Sequence, residues 1–130
     1  LVGVEPEVIA KYNVVSAPVA ARMALGAAAA SGSDIAVSVT GVAGPTGGDE
    51  VRPVGTVYLG AARGDTVYVQ KLFVSRPDRA LVRARAAQAA LALALRLAQG
   101  KVPAHTKPLA ASEQHSAAAL DALNEAFLAE

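Results

Sequence analysis

Apolar residues recur at helical spacing in three parts of the chain. Between Ser16 and Gly32 they fall every third or fourth position, and Ser16 is placed to cap the first turn while Gly32 supplies a stop. A second helix is predicted after Ser75 or Asp78, ending at Gly100. Its second half is apolar nearly all round, which predicts that it is deeply packed.

The third helical pattern lies near the end of the chain, over about 116–129. It is amphipathic, with one apolar side formed by Leu120, Leu123, Phe127 and Leu128. A helix this short is marginal in water by itself, so it needs a partner surface. Packing within the same chain is the preferred interpretation. The preceding segment, 101–114, contains Pro103 and Pro108 and is interpreted as a linker.

Short apolar runs between the first two helices predict strands. Residues 34–40 are mostly apolar on both faces, which predicts an interior strand and leaves open whether its neighbours are parallel. Two β-rich runs then flank Gly64-Asp65, which predicts a hairpin with a type II′ turn. The tripeptide Arg63-Gly64-Asp65 also spells a cell-adhesion motif, but a tight turn is the favoured interpretation.

This order of elements predicts one α/β domain over 1–100, with a mixed sheet covered by helices, followed by the linker and the last helix in 101–130. The 130 residues are long enough to form a core, and its side chains should be mainly Ala, Val and Leu. Ligands in such folds gather at the carboxyl ends of strands. A glycine-rich stretch, 41–48, follows the first predicted strand at such an end.

Composition narrows the function classes. The net charge of +1 gives no reason to expect nucleic acid or an anionic membrane as a partner. The chain has no cysteine and two histidines, both in the polar tail, so no metal site is expected. No signal peptide or membrane-spanning segment is evident, and a soluble cytoplasmic protein is expected. Oligomeric state is left open.

Three interpretations of the glycine-rich stretch compete. A nucleotide fingerprint is disfavoured, because the spacing is G-x-x-G-x-x-G-G and a strand follows where a helix is required. A flexible connection is the plain alternative. The third is a ligand loop, whose bare backbone lets N–H groups reach an anion or a developing oxyanion.

The stretch VSVTGVAGPTGGDEVRPVGTVYLG, residues 37–60, resembles the CinA C-terminal domain family, whose members include nicotinamide-nucleotide amidases. The family shows a T-G-[IV]-A-G-P-x-G-G loop followed by [KR]-P-V-G-T-V. VVSAPVAARMALGA upstream is similar to the family's V-S-x-x-V-A-x-x-M-A-x-G-A helix. PDRALVRARAAQAAL downstream is similar to its G-D-R-x-x-V-R helix start, with Pro77 in place of the glycine. The resemblance covers about residues 1–98.

The resemblance implies a three-layer α/β/α sandwich with a mixed sheet. It also implies an amidase that converts nicotinamide mononucleotide and water to nicotinate mononucleotide and ammonia, in pyridine-nucleotide salvage, with no cofactor or metal. By resemblance Thr40, Gly41 and Gly44 belong to the loop that closes on the substrate. Arg79 matches the arginine of G-D-R and is expected to meet the substrate phosphate, with Arg83 one turn further on in a position to assist.

The family's nucleophile, a serine in E-S-x-T-G-G, and a lysine that follows it have no counterpart in the sequence; by alignment both lie upstream of Leu1. No catalytic residue is therefore assigned, and a natural truncation and a fragment both remain open. Two other hypotheses stand beside the amidase: a non-catalytic nucleotide-binding or protein-interaction module, and a remnant that folds poorly and exposes a sheet edge.

Overall fold

The computed structural model describes residues 3–76 and 78–129, so the calls that concern Leu1 and Pro77 lie outside the described residues. Its elements, in chain order, are four α-helices, four strands and a short 3-10 helix: α1 Pro6–Tyr12, α2 Ala17–Ser31, β1 Ile35–Gly41, β2 Thr56–Arg63, β3 Thr66–Phe73, α3 Arg79–Ala98, β4 Lys107–Ala110, the 3-10 helix Ala111–Glu113, and α4 Ala117–Leu128.

The strands form one sheet in the order β1-β2-β3-β4, and all three pairings among the described residues are antiparallel. The α/β class is confirmed, but the sheet in this part of the chain is not mixed, and β1 is an edge strand where an interior one was expected. The reason lies in the connection from β1 to β2. A parallel neighbour needs a crossover, usually a helix, whereas residues 42–55 turn back at the same end and bring Gly41 opposite Val57.

The β2–β3 hairpin turns at Gly64-Asp65, as predicted. Arg63 and Thr66 are the last paired residues, which leaves a two-residue loop. Gly64 has φ +62°, and Asp65 is not among the residues with positive φ. This is the pattern of a type II′ turn, in which the first loop residue alone requires a left-handed backbone.

Helices cover both faces of the sheet and so make three layers. On one face, α2 and α4 bury Ala24, Leu123 and Phe127 with Tyr58 and Val69 of the sheet. On the other face, α3 buries Val82, Ala86, Leu93 and Leu97 against Val57 and Leu59 of β2. Both clusters consist largely of Ala, Val and Leu, as the composition predicted.

α2 approaches β2 closely at Gly60, where an alanine of the helix meets a glycine of the strand. A Cβ on Gly60 would lie 2.5 Å from the carbonyl oxygen of Ala20, which no side chain can do. Ser38 Oγ donates to the same carbonyl at 2.6 Å and thereby ties β1 to α2. The helix begins as predicted, with the Ser16 side chain accepting from the N–H of Val19, and it ends at Gly32 in the left-handed conformation.

α3 is capped by Asp78, whose carboxylate accepts from the N–H of Leu81 at 2.9 Å. The prediction that its second half is deeply packed is wrong. Leu91 is 72% exposed and Leu95 is 59% exposed, because α3 meets the sheet on one side only and its outer side has no covering layer in the described part of the chain. None of the described helices combines the length and the apolar character that crossing a bilayer requires.

The segment after α3 differs from the predicted linker. Lys107–Ala110 pairs with β3, with Val67 opposite Leu109, and adds a fourth strand. Pro108 is tolerated there because β4 is an edge strand. The Ser116 side chain then caps α4, whose Leu120, Leu123 and Phe127 are buried while Leu128 is 43% exposed. The ring of Phe127 meets that of Tyr58 edge-on, with centroids 5.7 Å apart, so the last helix packs within its own chain.

Candidate ligand-binding cleft

An open cleft of about 490 Å³ lies where β1 ends and α3 begins. One wall is the α1–α2 loop, the second is the glycine-rich stretch, and Arg79 reaches in from the start of α3. The cleft is lined by Asn13, Val14, Val15, Gly41, Val42, Ala43, Gly44, Thr46, Gly47, Asp49, Arg52 and Arg79.

The glycine-rich stretch has a defined conformation. The N–H of Val42 donates to the carbonyl of Thr56 at 2.9 Å, and the N–H of Gly55 donates to the carbonyl of Val42 at 2.8 Å, so the ladder of β1 and β2 continues past the strand ends. Gly44 has φ +88°, and a Cβ there would lie 2.6 Å from Cγ1 of Val54. Glycine at this position is therefore required by the backbone and by close packing on the returning chain.

Backbone donors remain unused along this stretch. Between Ala43 and Gly48, the N–H groups donate to no other group within the described residues. Gly44 is buried and Pro45 has no N–H, whereas Thr46, Gly47 and Gly48 are exposed. Exposed free N–H groups can bind an anion or a developing negative charge. The glycine-rich stretch therefore has backbone donors that could bind an anion. Its Gly44 also has a structural reason, which is close packing on Val54.

Thr40 lies behind the cleft rather than in its lining. Its side chain is buried, and Oγ1 donates to the carbonyl oxygen of Val14 at 2.8 Å. The hydroxyl hydrogen therefore forms a bond to the α1–α2 loop, the wall that faces the glycine-rich stretch. The geometry supports a role for Thr40 in fixing the α1–α2 loop, and the direct ligand contact expected of it stays a prediction.

The two predicted arginines are placed differently. Nη1 of Arg79 donates to the carbonyl of Gly44 at 3.4 Å, and the exposed side chain lines the cleft. Arg83 is exposed one turn along α3 and is not among the lining residues. The structure therefore brings Gly41, Gly44 and Arg79 to one cleft and leaves Arg83 outside its lining.

Arg52 is a cleft residue that sequence reasoning did not assign to the site. Its Nε donates to the carbonyl of Val15 at 2.5 Å and its Nη2 to the carbonyl of Tyr12 at 2.7 Å. Asp49 in turn accepts from the N–H groups of Val51 and Arg52. Arg52 therefore joins the two walls of the cleft. The sequence does contain a basic residue at the start of R-P-V-G-T-V that could have been named as a site candidate. It does not show which carbonyl oxygens that residue contacts.

The α1–α2 loop is held by its own side chains as well. Asn13 has φ 78° and ψ 154°, a positive-φ conformation outside the left-handed helical region that is costly for residues other than glycine. Its Oδ1 accepts from the N–H of Val15 at 3.0 Å, and Ser16 Oγ donates to its carbonyl at 2.8 Å. These bonds give the wall a fixed shape although it contains no regular secondary structure.

The cleft carries more positive than negative charge, with Arg52 and Arg79 against Asp49. Its lining includes Thr46 but no Ser, Cys, His or Lys. Within the described residues no group of three or more His, Asp or Glu side chains could hold a metal ion. The arrangement offers an anion two guanidinium groups and free N–H groups, and Thr46 and Asp49 are the lining side chains of a type that can act as nucleophiles.

The three layers and the open cleft at the carboxyl end of β1 define an α/β domain with a candidate ligand site. The CinA C-terminal domain family matches residues 1–98, and the chain belongs to that family. The fold and the relatives thus agree with the resemblance inferred from residues 37–60.

Two relatives are identical to this chain at between two fifths and one half of the aligned positions. A CinA-like protein of Kosmotoga olearia is 46% identical over 89 residues, which are 68% of this chain and 21% of that protein. The nicotinamide-nucleotide amidohydrolase PncC of Escherichia coli K12 is 43% identical over 93 residues, which are 70% of this chain and 55% of PncC. The chain therefore spans between about a fifth and about half of the length of these relatives.

A solved structure agrees in fold. The crystal structure of a competence-damaged protein (CinA) superfamily protein from Escherichia coli superposes with a TM-score of 0.69 at 33% identity. The superposition covers 74% of this chain and 55% of the crystallised one.

Proposed function

We propose that the cleft binds nicotinamide mononucleotide, as part of an amidase site that releases ammonia from the carboxamide. One observation carries the proposal. Arg79, at the first position of α3, and the free N–H groups of the glycine-rich stretch line one cleft, in a chain related to a nicotinamide-nucleotide amidohydrolase. A salvage role and a cytoplasmic location belong to the same proposal.

The phosphate is assigned to Arg79. A cation at the start of a helix opposes the helix dipole, by about 0.3–1 kcal/mol. A bound phosphate reverses that penalty, because it faces the helix N-terminus and accepts two parallel hydrogen bonds from one guanidinium. The bond from Arg79 to Gly44 is long, at 3.4 Å, so little is lost when the guanidinium turns to a phosphate.

The carboxamide is assigned to the glycine-rich stretch, whose Gly41 and Gly44 belong to the cleft lining. Free N–H groups stabilise the negative charge that develops on the carboxamide oxygen when a nucleophile attacks. The serine motif that serves as nucleophile in the family has no counterpart in the sequence, so the proposal assigns the nucleophile to another polypeptide segment.

Arg79→Gln tests the phosphate assignment when two ligands are compared by calorimetry. For nicotinamide mononucleotide, the Kd should rise about 10- to 100-fold, the loss expected when a charge-assisted hydrogen bond is removed. For nicotinamide riboside, which lacks the phosphate, wild type and variant should bind equally. Arg85→Gln, a similar change on an exposed arginine of α3, should alter neither Kd.

Equal losses of affinity for both ligands in Arg79→Gln would remove the phosphate assignment. If the wild-type chain does not bind the mononucleotide, the proposed function fails.

A non-catalytic nucleotide-binding module is the second candidate, favoured by the absence of Ser, Cys, His and Lys from the lining. Binding without ammonia release, also after addition of the nucleophile segment of a relative, would support that candidate.

A further inference from the structure

Tyr12 connects the C-terminal helix to the cleft. Its side chain is 5% exposed, and its hydroxyl donates a hydrogen bond to Oδ1 of Asp121 on α4. Its own carbonyl, at the end of α1, accepts from Nη2 of Arg52 at 2.7 Å. One residue thus contacts both α4 and an arginine that lines the cleft.

The cleft wall begins directly after Tyr12. The carbonyl oxygens of Asn13, Val14 and Val15 accept from Ser16, Thr40 and Arg52 respectively. These bonds fix the wall relative to the glycine-rich stretch. The position of Asn13, the first residue of the wall, still depends on how the end of α1 is held. The hydrogen bond from the Tyr12 hydroxyl to Asp121 holds it.

The α4 end of the contact is firm. Leu120 and Leu123 are buried on either side of Asp121, and Nζ of Lys11 lies 3.0 Å from Oδ1 of Asp121. Hydrogen bonds from Tyr12 and then Lys11 hold the pKa of Asp121 below its ordinary value, and burial raises the pKa of Tyr12. At neutral pH the pair is therefore an ionised acceptor and a protonated donor, which makes a strong hydrogen bond.

We propose that Tyr12 is a positioning residue through which α4 sets the place of the Asn13–Val15 wall for a nucleotide in the cleft. The inference rests on the proposed function for the identity of the ligand. The family match covers residues 1–98. The proposal therefore gives a role at the site to α4, which lies after those residues.

The test compares Tyr12→Phe, Asp121→Asn and the double variant in the full chain. In Tyr12→Phe, the amides of residues 13–16 should exchange hydrogen about fivefold faster, and the Kd for nicotinamide mononucleotide should rise by about the same factor, as expected for loss of one hydrogen bond. Because the two residues share one bond and Asp121→Asn also removes the ion pair with Lys11, the double variant should resemble Asp121→Asn rather than show the product of two effects.

Two controls separate positioning from general destabilisation. Glu125→Gln changes an exposed carboxylate one turn further along α4 and should leave exchange and Kd unchanged. Val67→Ala opens a cavity in the core near the hairpin, away from the cleft, and should lower Tm without changing the Kd.

Unchanged exchange at residues 13–16 in both single variants would overturn the proposal, whatever the ligand. Faster exchange with an unchanged Kd would also overturn it, because the wall would then move without consequence for the ligand. If the wild-type chain binds no mononucleotide, the proposed function fails, and the exchange data decide whether α4 positions the wall.

Discussion

At the scale of single residues, the structure separates side chains that line the cleft from those that hold it. Gly41, Gly44 and Arg79 could be predicted because local motifs carry them, and they do meet in one cleft. Arg52 could not be assigned, because its partners are carbonyl oxygens 37 and 40 residues away in sequence. Thr40 was predicted as a ligand contact from its neighbours, but its hydroxyl donates to Val14.

Arg22 is another residue that the sequence gave no reason to single out. It is 3% exposed in α2, and its guanidinium meets the carboxylate of Glu5 at 2.9 Å. A charge this deeply buried needs its partner, because water cannot replace it. The hydrogen bond from Arg22 lowers the pKa of Glu5 from 4.5 to about 2.

Glu5→Gln should therefore destabilise the protein in a pH-dependent way. The folded pKa lies below the unfolded one, so the stabilisation is present above pH 4.5 and is lost as the pH falls towards 2. The difference in unfolding free energy between wild type and variant should be largest near neutral pH and shrink over that window. Urea titrations at several pH values measure it. Glu7→Gln, an exposed residue of α1, is the control, and a difference that stays constant with pH would contradict the assignment.

At the scale of elements, prediction succeeded where the determinants are local. The capping serine, the terminal glycine and the alanine-rich face identified α2, and the Gly64-Asp65 pair identified the hairpin. β4 was missed because four residues that include a proline show no strand pattern, and they become a strand only by pairing with β3. The burial of α3 was overestimated because periodicity does not reveal how many layers cover a helix.

The contact between α2 and β2 gives a prediction at this scale. Gly60→Ala places a methyl group 2.5 Å from the Ala20 carbonyl, so α2 must move, at a cost of about 3 kcal/mol in unfolding free energy. Gly32→Ala serves as the comparison. A Cβ there meets nothing within 4 Å, and the cost of about 1 kcal/mol comes from the left-handed backbone alone. Chemical denaturation of both variants measures the difference, and equal losses would show that the close approach is not limiting.

At the scale of the whole molecule, the two edges of the described sheet differ. β4 carries Lys107 and Pro108, which discourage pairing with another strand. β1 has neither a charge nor a proline from Ile35 to Gly41, and Val39 is 41% exposed on it. An uncharged free edge of this length is a site for association with another strand.

We therefore expect the isolated chain to associate as its concentration rises, and Val39→Lys to reduce that association. Val51→Lys places the same change on a 54% exposed valine outside the strands and should have no such effect. Sedimentation velocity over a range of concentrations gives the answer. A wild-type chain that stays monomeric throughout, or two lysine variants that behave alike, would show that this edge does not self-associate.

Arg52 and Thr40 attach to main-chain oxygens of the α1–α2 loop, and every amino acid offers such an oxygen. Residue 14 can consequently be exchanged without loosening the bond that anchors it, although Val14 itself faces the cleft and is 41% exposed. Substitution at position 14 can therefore change the surface presented to small molecules while the hydrogen bonds that anchor the loop stay in place.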